Sequence, residues 1–275
     1  RARMALGQLP LSFEMNRGQF PPEVQFASRG GNNKAFFTQT EAVFILKKPG
    51  STTTLGNTNG PIANSKNPAQ ALSERQQRAA EHAASKAVVR MSLAGANGAP
   101  AVNGMESLPG KINYFRGSDP AKWVTDVPTF RKVSYSKVYP GIDLVYYGSG
   151  GRLEYDLVVA PGANPNQIAF NFDGAESLSV DAATGSLIVK AAGGAQMRQG
   201  KPLIYQESNG VKRAVSGGFS TNGNRAGFSL GDYDRSRPLV IDPAVMTYST
   251  YLAGEFEDRV HDIAADADGN AYAVG

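Results

Sequence analysis

Twenty-three residues, Val138–Ala160 (VYPGIDLVYYGSGGRLEYDLVVA), constrain the fold of this chain more than any other stretch. Ile142, Leu144 and Tyr146 alternate with Asp143, Val145 and Tyr147. After Gly148-Ser149-Gly150-Gly151, Leu153, Tyr155, Leu157 and Val159 alternate with Glu154, Asp156 and Val158. Residues two apart share a face of a strand, so the pattern predicts a β-hairpin with one buried and one wet face. A lone hairpin is not stable in water, and its apolar face needs further strands.

The remaining sequence supplies them. FFTQTEAVFILKK predicts strands on either side of a turn at Thr38–Glu41, and the runs VVRMSL, KINYF, KVSYSKVY, IAFNF, SLSV, SLIV, PLIYQ and GFSL follow from Val88 onward. Asp173-Gly174, Asn209-Gly210 and Asn222-Gly223 mark turns between them. A chain with 31 Gly and 16 Pro suits many short strands. Pro49–Gln70, without an aromatic, reads as a surface loop or disordered insertion. A helix is expected next: Asn67 caps, Pro68 takes the first position, Gln70 completes a capping box, and Leu72, Ala79, Ala83 and Ala87 form a narrow apolar stripe. The expected fold is all-β, a β-sandwich of stacked antiparallel sheets with one short helix in an insertion at 49–87.

Charge and composition exclude several functions. A formal charge of +4 without a dense Lys/Arg run argues against nucleic acid. No apolar run approaches the ~20 residues that span a bilayer. Arg1–Gln19 lacks the apolar core of a signal peptide, which fits a processed or trimmed chain and equally a cytoplasmic origin. The absence of Cys excludes disulfides, thiolate catalysis and Cys-ligated zinc.

After Arg237–Pro243 (RPLVIDP) the pattern changes. Met246–Leu252, Val260–Ala265 and Ala271–Val274 read as strands of a new small sheet, with a turn at Asp266–Asn270. This segment, YSTYLAG…IAADADGNAYAVG, resembles the first copy of the SBBP repeat, a bacterial β-propeller repeat. What precedes it resembles the domain of unknown function that sits N-terminal to such repeats. The resemblance rests on FEMNRGQ (Phe13–Gln19), LPGKINYF (Leu108–Phe115), DPAKWVTDVP (Asp119–Pro128), VYPGIDLVYYG, LEYDLVVAPGANP and YDRSRPLVIDP (Tyr233–Pro243), and covers nearly the whole chain except Lys48–Ala87. It implies a β-rich domain over 1–243, a first, incomplete propeller-like repeat over 244–275, and an exported or cell-surface bacterial protein. It brings no established catalytic residues.

The residues themselves offer four kinds of chemistry. Ser149 lacks the G-x-S-x-G spacing of a nucleophile elbow, and the two His, His82 and His261, lie in unrelated segments, so a Ser-His hydrolase is not expected. Glu154 and Asp156 share a strand face at about 7 Å, with Asp143 across the hairpin; alternation alone produces such a pair, and the expectation is a solvated polar face. Asp266, Asp268 and Asn270 alternate oxygens as calcium ligands do, with Asp242 and Asp258 available to supplement them. Their glycine stands fourth where the EF-hand loop has it sixth, and an Asx-stabilised turn explains the same residues. Trp123, Tyr146, Tyr147, Tyr155 and Tyr205 could stack on sugar rings, or simply pack within strands. Trp123, between Pro120 and Pro128, is expected to anchor an irregular segment on a sheet.

The expected function is a non-catalytic structural or adhesive module that caps or presents a repeat array. A glycan-binding module and a hydrolase whose cleft forms only with the completed propeller are the alternatives. Calcium is the single cofactor with candidate ligands. The expected partners are downstream repeats of the same polypeptide, other surface proteins, or polysaccharide.

Overall fold

The structure, a computed structural model, describes residues 11–29, 34–49 and 84–243 in full, and the backbone of 246–248, 262–265 and 271–274. The chain is all-β: strands pair almost entirely antiparallel, no barrel closes, and no helix among the described residues reaches seven residues. The expected helix falls on residues 67–83, outside the described residues. Its last stripe residue, Ala87, belongs instead to β5 (Lys86–Leu93) and pairs with Leu46 of β4 (Glu41–Lys47). Ala87, Val89 and Met91 are buried while Val88 and Arg90 are exposed. That two-residue alternation, with β-branched valines, outweighs the helix preference of alanine.

One strand organises the topology. β7 (Val124–Tyr139) keeps β6 (Ala101–Tyr114) along one edge for most of its length. On its other edge it pairs first with β1 (Ser12–Met15) at Thr129 and Phe130, then from Lys132 with β8 (Ile142–Ser149). Two branches diverge from this change of partner. The first runs β1, β2 (Phe26–Arg29), β3 (Ala35–Phe37), β4, β5, β10 (Ala169–Asp173), β17 (Arg225–Leu230) and β16 (Gly217–Asn222). The second runs from β8 to β9 (Arg152–Val159) and there forks. One arm is β18 (Leu239–Pro243), β14 (Pro202–Ser208) and β15 (Val211–Ala214). The other is β19 (Met246–Tyr248), β13 (Gln196–Gln199), β12 (Leu187–Ala191) and β11 (Ala175–Val180).

The hairpin read from the sequence is β8–β9. Ser149 pairs with Arg152 around Gly150-Gly151, both at positive φ (56° and 74°), the two-residue turn that matches strand twist and that glycine adopts without strain. Ile142, Leu144, Tyr146, Leu153, Tyr155, Leu157 and Val159 are all buried.

Ring contacts join the branches. Phe37 of the first branch meets Tyr146 of the second at 4.8 Å, and Tyr155 meets Phe170 at 5.5 Å. Phe13–Phe37, Tyr135–Tyr146, Tyr146–Tyr155 and Phe170–Phe228 extend the seam at 5.4–6.3 Å. Edge-to-face rings add about 0.5–1.5 kcal/mol each beyond area burial. Buried phenols are bonded as well: Tyr135 Oη donates to the Thr38 carbonyl of the first branch at 2.7 Å, and within the second branch Tyr155 Oη donates to Gln199 Oε1 at 2.9 Å.

The β6–β7 ribbon is irregular for identifiable reasons. Its register shifts between Leu108 and Lys111 and again between Ile112 and Tyr114, and β7 slips against β8 between Tyr135 and Tyr139. Glu106, Asp126 and Lys137 take left-handed φ near these places, as bulged residues do. The amides of Asp126 and Lys137 are met by Asn113 Oδ1 and Asp143 Oδ1 at 2.8 and 2.6 Å. Gly104 is required by contact: a Cβ there would lie 2.5 Å from the Phe130 ring.

FEMNRGQ folds into a loop stitched by its own amides. Asn16 Nδ2 donates to the carbonyls of Phe20, Pro21 and Val24, while its Oδ1 accepts from the amides of Gly18 and Phe20. Gln19, buried, donates to the Met15 carbonyl and accepts from the Arg17 amide. Asn16→Ala removes five hydrogen bonds and should cost about 2–4 kcal/mol, read as a lower urea midpoint at unchanged m-value. Tyr155→Phe strands the buried Gln199 oxygen and should cost about 1–3 kcal/mol in the same measurement.

Candidate functional site

The face of β8–β9–β18 opposite the aromatic seam gathers the titratable groups singled out in the sequence. Strand register places Tyr147 opposite Glu154 and Val145 opposite Asp156, and Ile241 beside Leu157 brings Asp242 next to Asp156. The Tyr147 hydroxyl lies 2.9 Å from Asp156 Oδ1 and 3.4 Å from Asp242 Oδ1. Glu154 is 9% exposed, so this side of the hairpin is less wet than alternation alone suggests. Asp143 does not join the group; it pairs opposite Val158 and receives the Lys137 amide.

The electrostatics follow from crowding. Burial, then repulsion from Asp242 and Asp156, raises the Glu154 carboxyl above its usual range. Asp156 is raised by burial and by Asp242, against the opposing effects of the Tyr147 hydrogen bond, Lys212 and Lys132. Asp242 is raised by burial, again opposed by Tyr147 and Lys212. Burial and its carboxylate neighbours push the Tyr147 phenol far above its ordinary value, so it stays a hydrogen-bond donor. Such a group can share protons and attract a cation. Ser149, at the end of β8, hydrogen-bonds Glu154 at the margin of the group. Among the described residues no three His, Cys, Asp or Glu side chains come together as metal ligands.

The aromatic candidates separate. Tyr146 and Tyr155 are core residues, 3% and 0% exposed, so they present no ring to a ligand. Tyr205 is buried beneath Lys212, whose Nζ sits 4.0 Å from the ring centroid. Trp123 remains at the surface, 38% exposed, at the end of the β6–β7 ribbon. Its indole donates to the Gly117 carbonyl at 3.1 Å and its ring meets Phe115 edge-on at 5.0 Å. It closes a 3-10 turn over Pro120–Lys122 whose first residue is capped by Asp119. His82, Asp258, His261, Asp266, Asp268 and Asn270 lie outside the described residues. A cavity of about 240 Å³ between the branches is lined by Glu41, Met91, Leu144, Tyr146 and Phe170 and does not open on the carboxylates.

A second polar cluster has no signal in the sequence. Glu14, at the centre of β1, is 2% exposed. Tyr114 Oη donates to its Oε2 at 2.6 Å, and Arg29 lies 3.9 Å from Oε1. Burial raises this carboxyl, with Tyr114, Arg29 and Lys34 opposing. Arg116 Nη2 donates to the Gln19 carbonyl at 2.7 Å. FEMNRGQ and LPGKINYF therefore meet and tie the ribbon end to β1. Strand alternation makes Glu14 look like an ordinary outward side chain, since its cover comes from a hundred residues away.

These clusters sit in an all-β domain whose polar groups chiefly bond to one another. A family model matches residues 13–244, and the chain belongs to the family described as a domain of unknown function, DUF7948. No curated protein and no solved structure matches it. Among the described residues no helix is long and apolar enough to cross a membrane.

The carboxylate cluster has a measurable sign. A carboxyl whose folded pKa is raised favours folding while protonated and loses that advantage as pH rises through the folded value. Asp242→Asn should therefore melt higher than the parent at pH 7, with the gap closing on acidification below about pH 4. Solvent screening at this half-exposed site keeps the gain under about 1 kcal/mol. A variant that melts lower at pH 7 would show that the Asp242 charge is stabilising.

Proposed function

We propose that this is a non-catalytic module of an exported or cell-surface protein, which caps and presents a β-propeller array begun by residues 244–275. The resemblance of YSTYLAG…IAADADGNAYAVG to an SBBP repeat supplies the identity of the array. The observation that carries the reading is the pairing of β19, the first strand after Pro243. Met246 pairs with Leu153 of β9, and Tyr248, Thr247 and Met246 pair with Met197, Arg198 and Gln199 of β13. The chain that leaves the domain is thus hydrogen-bonded between two of its own strands, as a cap that holds the next module in register requires. A freshly begun propeller sheet exposes edges, and a neighbouring domain that covers them protects against strand addition by other chains.

Amide exchange tests this reading. The amides of Met246–Tyr248 should be protected to the same order as those of Leu153–Val159, since opening one would break the other. Exchange at unprotected rates in 246–248, with β9 fully protected, would mean that the following module hangs free and the domain does not cap it.

A further inference from the structure

We propose that the outer edge of β6 from Lys111 to Tyr114 is the docking edge for the acidic segment that follows β19, with β21 (Ala271–Val274) adding to it in parallel. This rests on the capping reading and names a contact surface for it. The first observation is the register: Ala271 pairs with Ile112, and β20 (Asp262–Ala265) pairs antiparallel with the far side of β21. A parallel strand starting at Ile112 runs onward beside Tyr114 towards Phe115.

The second observation explains why docking falls on this part of the strand. Among the described residues β21 is the one strand paired to the outer edge of β6. Upstream, that edge is a poor template. Glu106 takes a left-handed φ and is held by Lys132 at 2.6 Å, Pro109 has no N–H, and the register breaks between Leu108 and Lys111. Beyond the break Lys111 and Ile112 pair with Pro128 and Val127, and after a second shift Tyr114 pairs with Val124; the strand's end is fixed by Tyr114 on Glu14 and Arg116 on Gln19. A pre-ordered edge loses little entropy when a strand is added. At the same end Phe115 and Trp123 expose 43% and 38% of their surfaces as one edge-to-face pair, large apolar groups for an added strand to cover.

Charge supplies the third observation. Of 28 Lys and Arg and 24 Asp and Glu in the chain, the last 32 residues hold one (Arg259) and six (Glu255, Glu257, Asp258, Asp262, Asp266 and Asp268). Residues 244–275 therefore carry −5 and residues 1–243 carry +9. The ribbon end, residues 111–126, holds Lys111, Arg116 and Lys122 against Asp119 and Asp126, a net +1 within that excess. Opposite net charges draw the two parts together over about a Debye length, an attraction that salt weakens.

The absence of cysteine in the chain gives a clean test. Paired strands lie about 4.8 Å apart, within reach of a disulfide. Ile112→Cys with Ala271→Cys, in the full chain under mild oxidation, should crosslink at least about tenfold faster than Asn103→Cys with Ala271→Cys. High salt should slow the first pair and leave the second unchanged. Equal rates for the two pairs would overturn the proposal. The unsubstituted chain gives an independent readout should Ile112→Cys disturb folding: those Ala271–Val274 amides that point away from β20 should be protected at low salt and lose protection in 1 M salt. Unprotected amides there would sink the docking edge. Protection at 246–248 without crosslinking removes this edge and leaves the cap standing; crosslinking with 246–248 unprotected keeps the edge and removes the cap through β19.

Discussion

The two branches of this fold are held face to face by a line of rings, and little else in the structure would be where it is without them. Phe37 against Tyr146 and Tyr155 against Phe170 are the points where one branch touches the other. Aromatic side chains bury 150–250 Å² each, so a few of them supply most of the cohesion between layers made from short strands. Tyrosine adds a constraint that phenylalanine does not. A buried hydroxyl favours a partner, and Tyr135, Tyr139 and Tyr155 find theirs on Thr38, Ala94 and Gln199. The Tyr135 and Tyr139 bonds reach the first branch and so fix the sliding of the layers as well as their separation.

Much of this was legible where burial follows period two. The β8–β9 hairpin, the β3–β4 pair and most of the short strands after Val88 stand where alternation placed them, because their neighbours along the chain are also their neighbours in the sheet. Legibility failed where pairing partners are distant. The first ten residues of β6 read AVNGMESLPG, with Gly and Pro where a strand would be marked down. It is a strand because β7 lies beside it and Gly104 accommodates the Phe130 ring. Left-handed Glu106, Asp126 and Lys137 break the period within otherwise regular runs. Ala87 was drawn toward a helix by its alanine-rich neighbours, while its valines belonged to a sheet.

The candidate chemistry was legible in composition and not in arrangement. Glu154 and Asp156 were recognisable as a pair on one face. That Asp242 joins them, and that Tyr147 donates into the group, depends on β18 lying beside β9. Tyr146 and Tyr155 were indistinguishable from surface tyrosines by residue type, and only their position on the apolar phase of the hairpin marks them as core. Asn16 and Gln19 show the converse. A polar motif that looks like a site spends nearly all its hydrogen-bonding capacity on its own loop.

The change of partner along β7 also sets an order of events in folding. Within the domain β1 is synthesised well before the strands it needs: its inner edge pairs with Phe130 and its Glu14 is covered by Tyr114, a hundred residues later. Contacts so far apart in sequence form slowly, because the loop between them must close before any of its stabilisation is realised. Until the β6–β7 ribbon arrives, Glu14 lacks the Tyr114 hydroxyl and one edge of β1 stays open, while β2 and Phe37 already hold the other side. The domain therefore completes itself late, when the ribbon is in place and the chain beyond it is already emerging.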